Sequence, residues 1–72
     1  MNVGSGIALP HGTAVYCCPH GLVLKLSWQS CVGLHIVRME VPVENCAAAK
    51  RPILLAAARQ FSRLVELERA RE

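Results

Sequence analysis

Seventy-two residues, 53% of them hydrophobic and 18% charged, leave room for one domain and exclude a disordered chain. The formal charge of +3, from six arginines and two lysines against five glutamates and no aspartate, is too mild to demand nucleic acid or an anionic membrane as partner. A chain this short buries only about 60% of the surface it exposes when unfolded, so its core is marginal and a staple or a partner subunit is expected.

Residues 1–12, MNVGSGIALPHG, carry Gly4, Ser5, Gly6, Pro10 and Gly12, a density of breakers that predicts a flexible N-terminal arm before a single domain over residues 13–72. Gly4-Ser5-Gly6 has the look of a phosphate loop. Such a loop needs a helix behind it, which Pro10 and Gly12 oppose. The segment lacks the basic lead and long apolar run of a secretory signal, and Lys25, Arg38, Glu40 and Arg59 interrupt every stretch that could span a bilayer. A cytoplasmic protein with free thiols and no membrane contact is the expectation.

From Thr13 to Glu44 apolar residues recur with period two, and Val, Leu, Ile, Tyr and Trp dominate. Strands are predicted over 13–18, 22–28 and 32–43. Pro19-His20-Gly21 resembles a three-residue hairpin loop with glycine last. That loop would set Cys18 opposite Leu22, Tyr16 opposite Leu24 and Ala14 opposite Leu26. A second loop, Gln29-Ser30-Cys31, would set Trp28 against Val32, Leu26 against Leu34 and Leu24 against Ile36. The third strand then changes phase, with Val32, Leu34 and Ile36 on one parity and Val37, Met39, Val41 and Val43 on the other. A β-bulge at Ile36-Val37 would keep both sets inward. Pro42 suits an edge strand near its end.

The last segment changes period. Asn45 is expected to cap a short turn over Cys46–Ala49, and a helix is expected from Pro52, a favoured first helical position, to about Ala70. Ile53, Leu54, Ala57, Ala58, Phe61, Leu64 and Val65 then share one arc, with Arg59, Ser62, Arg63, Glu66 and Arg69 opposite. The resulting fold class is α+β, a three-stranded antiparallel meander followed by one amphipathic helix on one sheet face, in the order β-β-β-α. Leu55 and Leu67 lie outside the sheet-facing arc. With Val41 and Val43 they are candidates for an interface with a second subunit, making a homodimer.

Cysteine and histidine recur as Cys17-x2-His20 and Cys31-x3-His35, a spacing with some likeness to zinc ligands. The strand between the two pairs would hold them roughly 20 Å apart, and Cys31 and His35 would lie about 13 Å apart along an extended chain. No metal and no cofactor are therefore expected. A cysteine nucleophile needs a base and an orienting group beside it, and none can be placed, so the chain is not read as an enzyme. Trp28, on the parity of Leu22, Leu24 and Leu26, reads as an aromatic lid on the core.

A small non-enzymatic protein-interaction module, homo-oligomeric, accounts best for these features. Lys50, Arg51, Arg59 and Arg63 support an alternative, a nucleic-acid or nucleoprotein accessory domain, because basic residues at a helix start oppose the helix dipole. A zinc-stabilised domain is a second alternative.

Overall fold

The computed structural model describes residues 8–18, 21–42 and 51–72. Strands β1 (Ala14–Cys18), β2 (Gly21–Ser30) and β3 (Gly33–Pro42) form one antiparallel sheet in that spatial order, and helix α1 (Arg51–Arg69) follows. This is the β-β-β-α arrangement expected. Pro42 ends β3, an edge strand, where its missing amide hydrogen does least harm.

Both hairpin registers differ from expectation. Cys18 pairs with Gly21 and Tyr16 with Val23, so Val15 and Cys17, rather than Ala14 and Tyr16, share a face with Leu22 and Leu24. Gly21 is a strand residue without positive φ. Its glycine has another reason: a Cβ there would lie 2.9 Å from the carbonyl oxygen of Val41.

In the second hairpin Ser30 pairs with Gly33, Trp28 with His35 and Leu26 with Val37. Cys31 and Val32 form the turn at ordinary negative φ, and Gly33 takes φ +128°. Gly33, the first paired residue of β3, therefore follows a two-residue turn, Cys31-Val32, in place of the expected three-residue loop Gln29-Ser30-Cys31. Pairing then runs unbroken from Ser30↔Gly33 to Gly21↔Pro42, and the bulge expected at Ile36-Val37 is absent. One parity of β3, with His35, Val37, Met39 and Val41, faces the core. The other, with Leu34 and Ile36, faces away, at 61% and 53% exposure.

α1 closes the core face. Phe61 is wholly buried and Val65 nearly so, packed with Ala57 against Leu22, Leu24, Leu26 and Val37, while Leu9, Val15, Trp28, Met39, Val41, Leu54 and Leu64 pack around them. Ile53, expected on the sheet-facing arc, is instead exposed. Ahead of β1, the Thr13 amide and hydroxyl both donate to the Pro10 carbonyl, at 3.1 and 2.6 Å, around a turn whose Gly12 takes φ +89°. Residues 1–7 of the expected arm, the Pro19-His20 loop, Val43 and the Asn45-capped turn lie outside the described residues.

Candidate functional site

The turn between β2 and β3 sits beneath the end of α1, and there His35, Ser30 and Glu68 converge. His35 occupies a core-facing position of β3 at 8% exposure, because the register that turns Val37 and Met39 inward also turns His35 inward. A buried imidazole needs partners at both nitrogens. Nδ1 lies 2.7 Å from Oε2 of Glu68 in the last turn of α1, and Nε2 lies 2.6 Å from Oγ of Ser30. With Glu68 ionised, Nδ1 carries a proton and donates to it, and Nε2 shares a hydrogen bond with the Ser30 hydroxyl.

The indole of Trp28, opposite His35 in the ladder, stacks on the imidazole with centroids 5.1 Å apart and planes 12° off parallel. Its Nε1 donates to Oε1 of Glu72, a carboxylate 3.9 Å from His35 Nε2. The Arg69 guanidinium lies 5.2 Å from the centre of the Trp28 ring. The hydrogen bond from His35 holds the Glu68 carboxyl below its ordinary range, against an opposing push from desolvation, and Arg71, 3.5 Å away, adds to the lowering.

Hydroxyl, imidazole and carboxylate are thus connected in the order of an activated nucleophile. The surroundings of Ser30 give the hydroxyl a different task. Oγ accepts the Val32 amide at 3.3 Å and lies 3.4 Å from the Gly33 carbonyl oxygen, so it braces its own turn. The Val32 N–H is directed at Oγ itself rather than at a place where an oxyanion would form. Chemically the cluster is a polar clasp, joining the β2–β3 turn to the last turns of α1 through charge-assisted hydrogen bonds.

The second feature is the face of the sheet turned away from α1. Val32 beyond the strand end at 66% exposure, then Leu34 and Ile36, make a line of apolar side chains along β3, and Tyr16 is exposed on the same face of β1. Lys25, Ser27, Gln29, Arg38 and Glu40 surround them, with Arg38 and Glu40 paired at 2.8 Å.

The candidate residues from the sequence fall as follows. Cys17 lies near one end of β2, beside Leu22, and Cys31 beyond the other, while His20 is outside the described residues. Cys17 is disulfide-bonded, with a partner outside the described side chains, and this corrects the expectation that its thiol is free. Cys31 is free and exposed. His35 is engaged by Ser30 and Glu68, and among the described residues no three His, Cys, Asp or Glu side chains gather to hold a metal.

Leu55 is half-buried along a groove with Ala8, Arg59, Arg63 and Glu66, whereas Leu67 stands out at 58% exposure. Val41 packs partly against the core. Arg51, Arg59 and Arg63 are exposed on α1, and Lys50 lies outside the described residues. Ser30, Glu68, Glu72, Leu34 and Ile36 carry the two features, and sequence reasoning singled out none of them as a site. The signal that could have found them is Gly33, because placing the turn on Cys31-Val32 settles which parity of β3 faces inward.

Compared with known proteins, the chain matches no family model, no curated protein and no solved structure. No helix among the described residues is long and apolar enough to cross a membrane.

Proposed function

We propose that this chain is a small non-enzymatic protein-interaction module that works as a homodimer. One observation carries the reading: Leu34 and Ile36 on an edge strand, with Val32 in the turn before it, are all more than half exposed, in a chain too small to leave such surface idle. Leu67 on α1 adds apolar surface of the kind expected from the helix pattern. The clasp around His35 supports the same reading, since it stiffens the hairpin that presents these side chains.

Light scattering over a range of micromolar concentrations tests the proposal. A mass of twice 7.8 kDa and a melting temperature that rises with protein concentration are expected. A particle of 7.8 kDa whose melting point ignores concentration overturns it.

Arg59 and Arg63, one turn apart on the exposed side of α1, favour a second reading, an accessory surface for nucleic acid. Binding of that kind weakens by nearly one log unit per log unit of salt for each phosphate contacted, and no binding at low salt removes it. A cytoplasmic location is the reading of the sequence. The Cys17 disulfide weighs against it, because such bonds persist in oxidising compartments.

A further inference from the structure

We infer that the end of α1 is an acid-sensitive latch. Residues 66–72 stay docked on the β2–β3 hairpin while Glu68 and Glu72 are ionised, and they detach, with the rest of the fold intact, when acid neutralises both carboxylates and leaves His35 charged. The latch lies within one copy of the chain and does not depend on the self-association proposed above.

The two parts of the helix are held by different forces. Up to Val65 the contact is apolar, with Ala57, Ala58, Phe61 and Val65 buried. Beyond Val65 no residue is buried: Glu68 is partly covered and the others, Leu67 among them, are exposed. What fixes this end to the hairpin is polar. Glu68 pairs with His35, Glu72 accepts from the Trp28 indole, and the Arg69 guanidinium lies over the Trp28 ring. The last backbone bonds, from the Arg71 amide to the Glu68 carbonyl and from the Glu72 amide to the Arg69 carbonyl, tie the segment to itself rather than to the sheet. An end with no buried apolar side chain opens at a lower cost than the core behind it.

The charges around His35 decide when that happens. The ring is 8% exposed, and the charged groups that face it all come from the helix end. Glu68 lies 2.7 Å from Nδ1 and Glu72 3.9 Å from Nε2, Arg71 lies 3.5 Å from Glu68, and Arg69 sits across the stacked indole. β2 contributes Trp28 and Ser30, which carry no charge. On β3 itself Arg38 and Glu40 pair with each other on the opposite face, and β1 is separated from β3 by β2. With both carboxylates ionised, a proton added to the ring meets two anions. An imidazole ordinarily takes its second proton at higher pH than a carboxylate takes its first. In acid the cluster therefore holds an imidazolium and two guanidiniums, with no ionised carboxylate among the described side chains to face them. A buried cation without a counter-charge is costly, and neighbouring cations add to the cost. Detachment gives the ring water and moves both arginines away. The hydrogen bond from His35 holds the Glu68 carboxyl below its ordinary range, so the latch stays shut in solutions more acid than an ordinary glutamate would allow. Opening bares the stacked Trp28 and His35 rings at the end of the hairpin.

Amide resonances of the full chain, followed by NMR from about pH 7 to about pH 3 at one protein concentration, test the latch. Signals of residues 66–72 should leave their folded positions at a pH where those of Phe61 and Val65 keep theirs. His35→Gln keeps a hydrogen-bonding side chain that never charges, and should hold the end docked for as long as the rest of the fold lasts. The double variant Glu68→Gln with Glu72→Gln, at partly exposed side chains that the fold does not need, removes the counter-charges outright and should release the end about one pH unit or more above the parent.

Loss of both groups of signals at one pH overturns the latch. Release in His35→Gln at the parent's pH, or a double variant that releases no earlier than the parent, overturns the charge on His35 as its cause. Should His35→Gln fail to fold, the double variant decides alone.

Discussion

Phe61→Ala tests whether the helix and the sheet form one core. Phe61 has no exposed surface and sits at the centre of the cluster formed by Leu22, Leu24, Leu26, Val37, Ala57 and Val65. Truncating a buried phenylalanine costs about 3–5 kcal/mol, from lost transfer free energy together with the cavity left behind. Small domains have only about 5–15 kcal/mol in total, and a 72-residue chain belongs near the low end. At about 4–8 °C per kcal/mol for a domain of this size, the variant should melt at least about 12 °C below the parent or fail to fold cooperatively.

Leu67→Ala on the same helix truncates an apolar side chain at a largely exposed position and should stay within about 0.5 kcal/mol if that side chain lies outside the dimer contact. Urea melts followed by far-ultraviolet circular dichroism, at one fixed protein concentration, measure both. A loss below about 1 kcal/mol for Phe61→Ala, with an unchanged denaturant slope, would mean that α1 does not depend on the sheet for its stability.

Glu68→Gln should alter the pH dependence of stability. A carboxyl whose folded pKa is depressed contributes stability in full above its unfolded value, 4.5, and loses it as pH falls through the lower folded value. The stability gap between parent and variant should therefore be widest at neutral pH and shrink on acidification, as read by urea melts at successive pH values. A gap that does not change with pH would show that the bond from His35 is not made in solution. Gly33→Ala should destabilise by about 1–3 kcal/mol through backbone strain alone, since φ +128° suits glycine and no atom lies within 4 Å of the added methyl. A neutral result in thermal melts would place the turn elsewhere.

The sequence showed the number and order of elements because each signal is local. Period-two alternation marks the strands, and the spacing of Ala57, Phe61 and Val65 marks the buried stripe of α1. Register was harder, for a physical reason visible in particular residues. Ala14 to Cys18 is apolar or nearly so at consecutive positions, and β3 carries apolar residues on both parities, so hydrophobicity alone assigns neither strand a face. The bulge was expected in order to bury everything apolar. The protein instead leaves Leu34 and Ile36 outside and buries a histidine. That exchange is favourable only because Glu68, thirty-three positions along the chain, and Ser30 satisfy both ring nitrogens. No local pattern announces a partner so distant.

The position of Trp28 makes it a built-in optical probe. It is the chain's one tryptophan, and its indole touches three pieces at once: the imidazole of His35 on β3, the guanidinium of Arg69 on α1 and the carboxylate of Glu72 beyond the helix end. Imidazole and carboxyl groups change their influence on indole emission as they gain or lose protons or move apart. Release of the helix end from the hairpin would therefore register as a change in intrinsic fluorescence before the helix itself unwinds. Comparing that signal with circular dichroism during unfolding would separate opening of the clasp from loss of the fold, with no label attached to the protein.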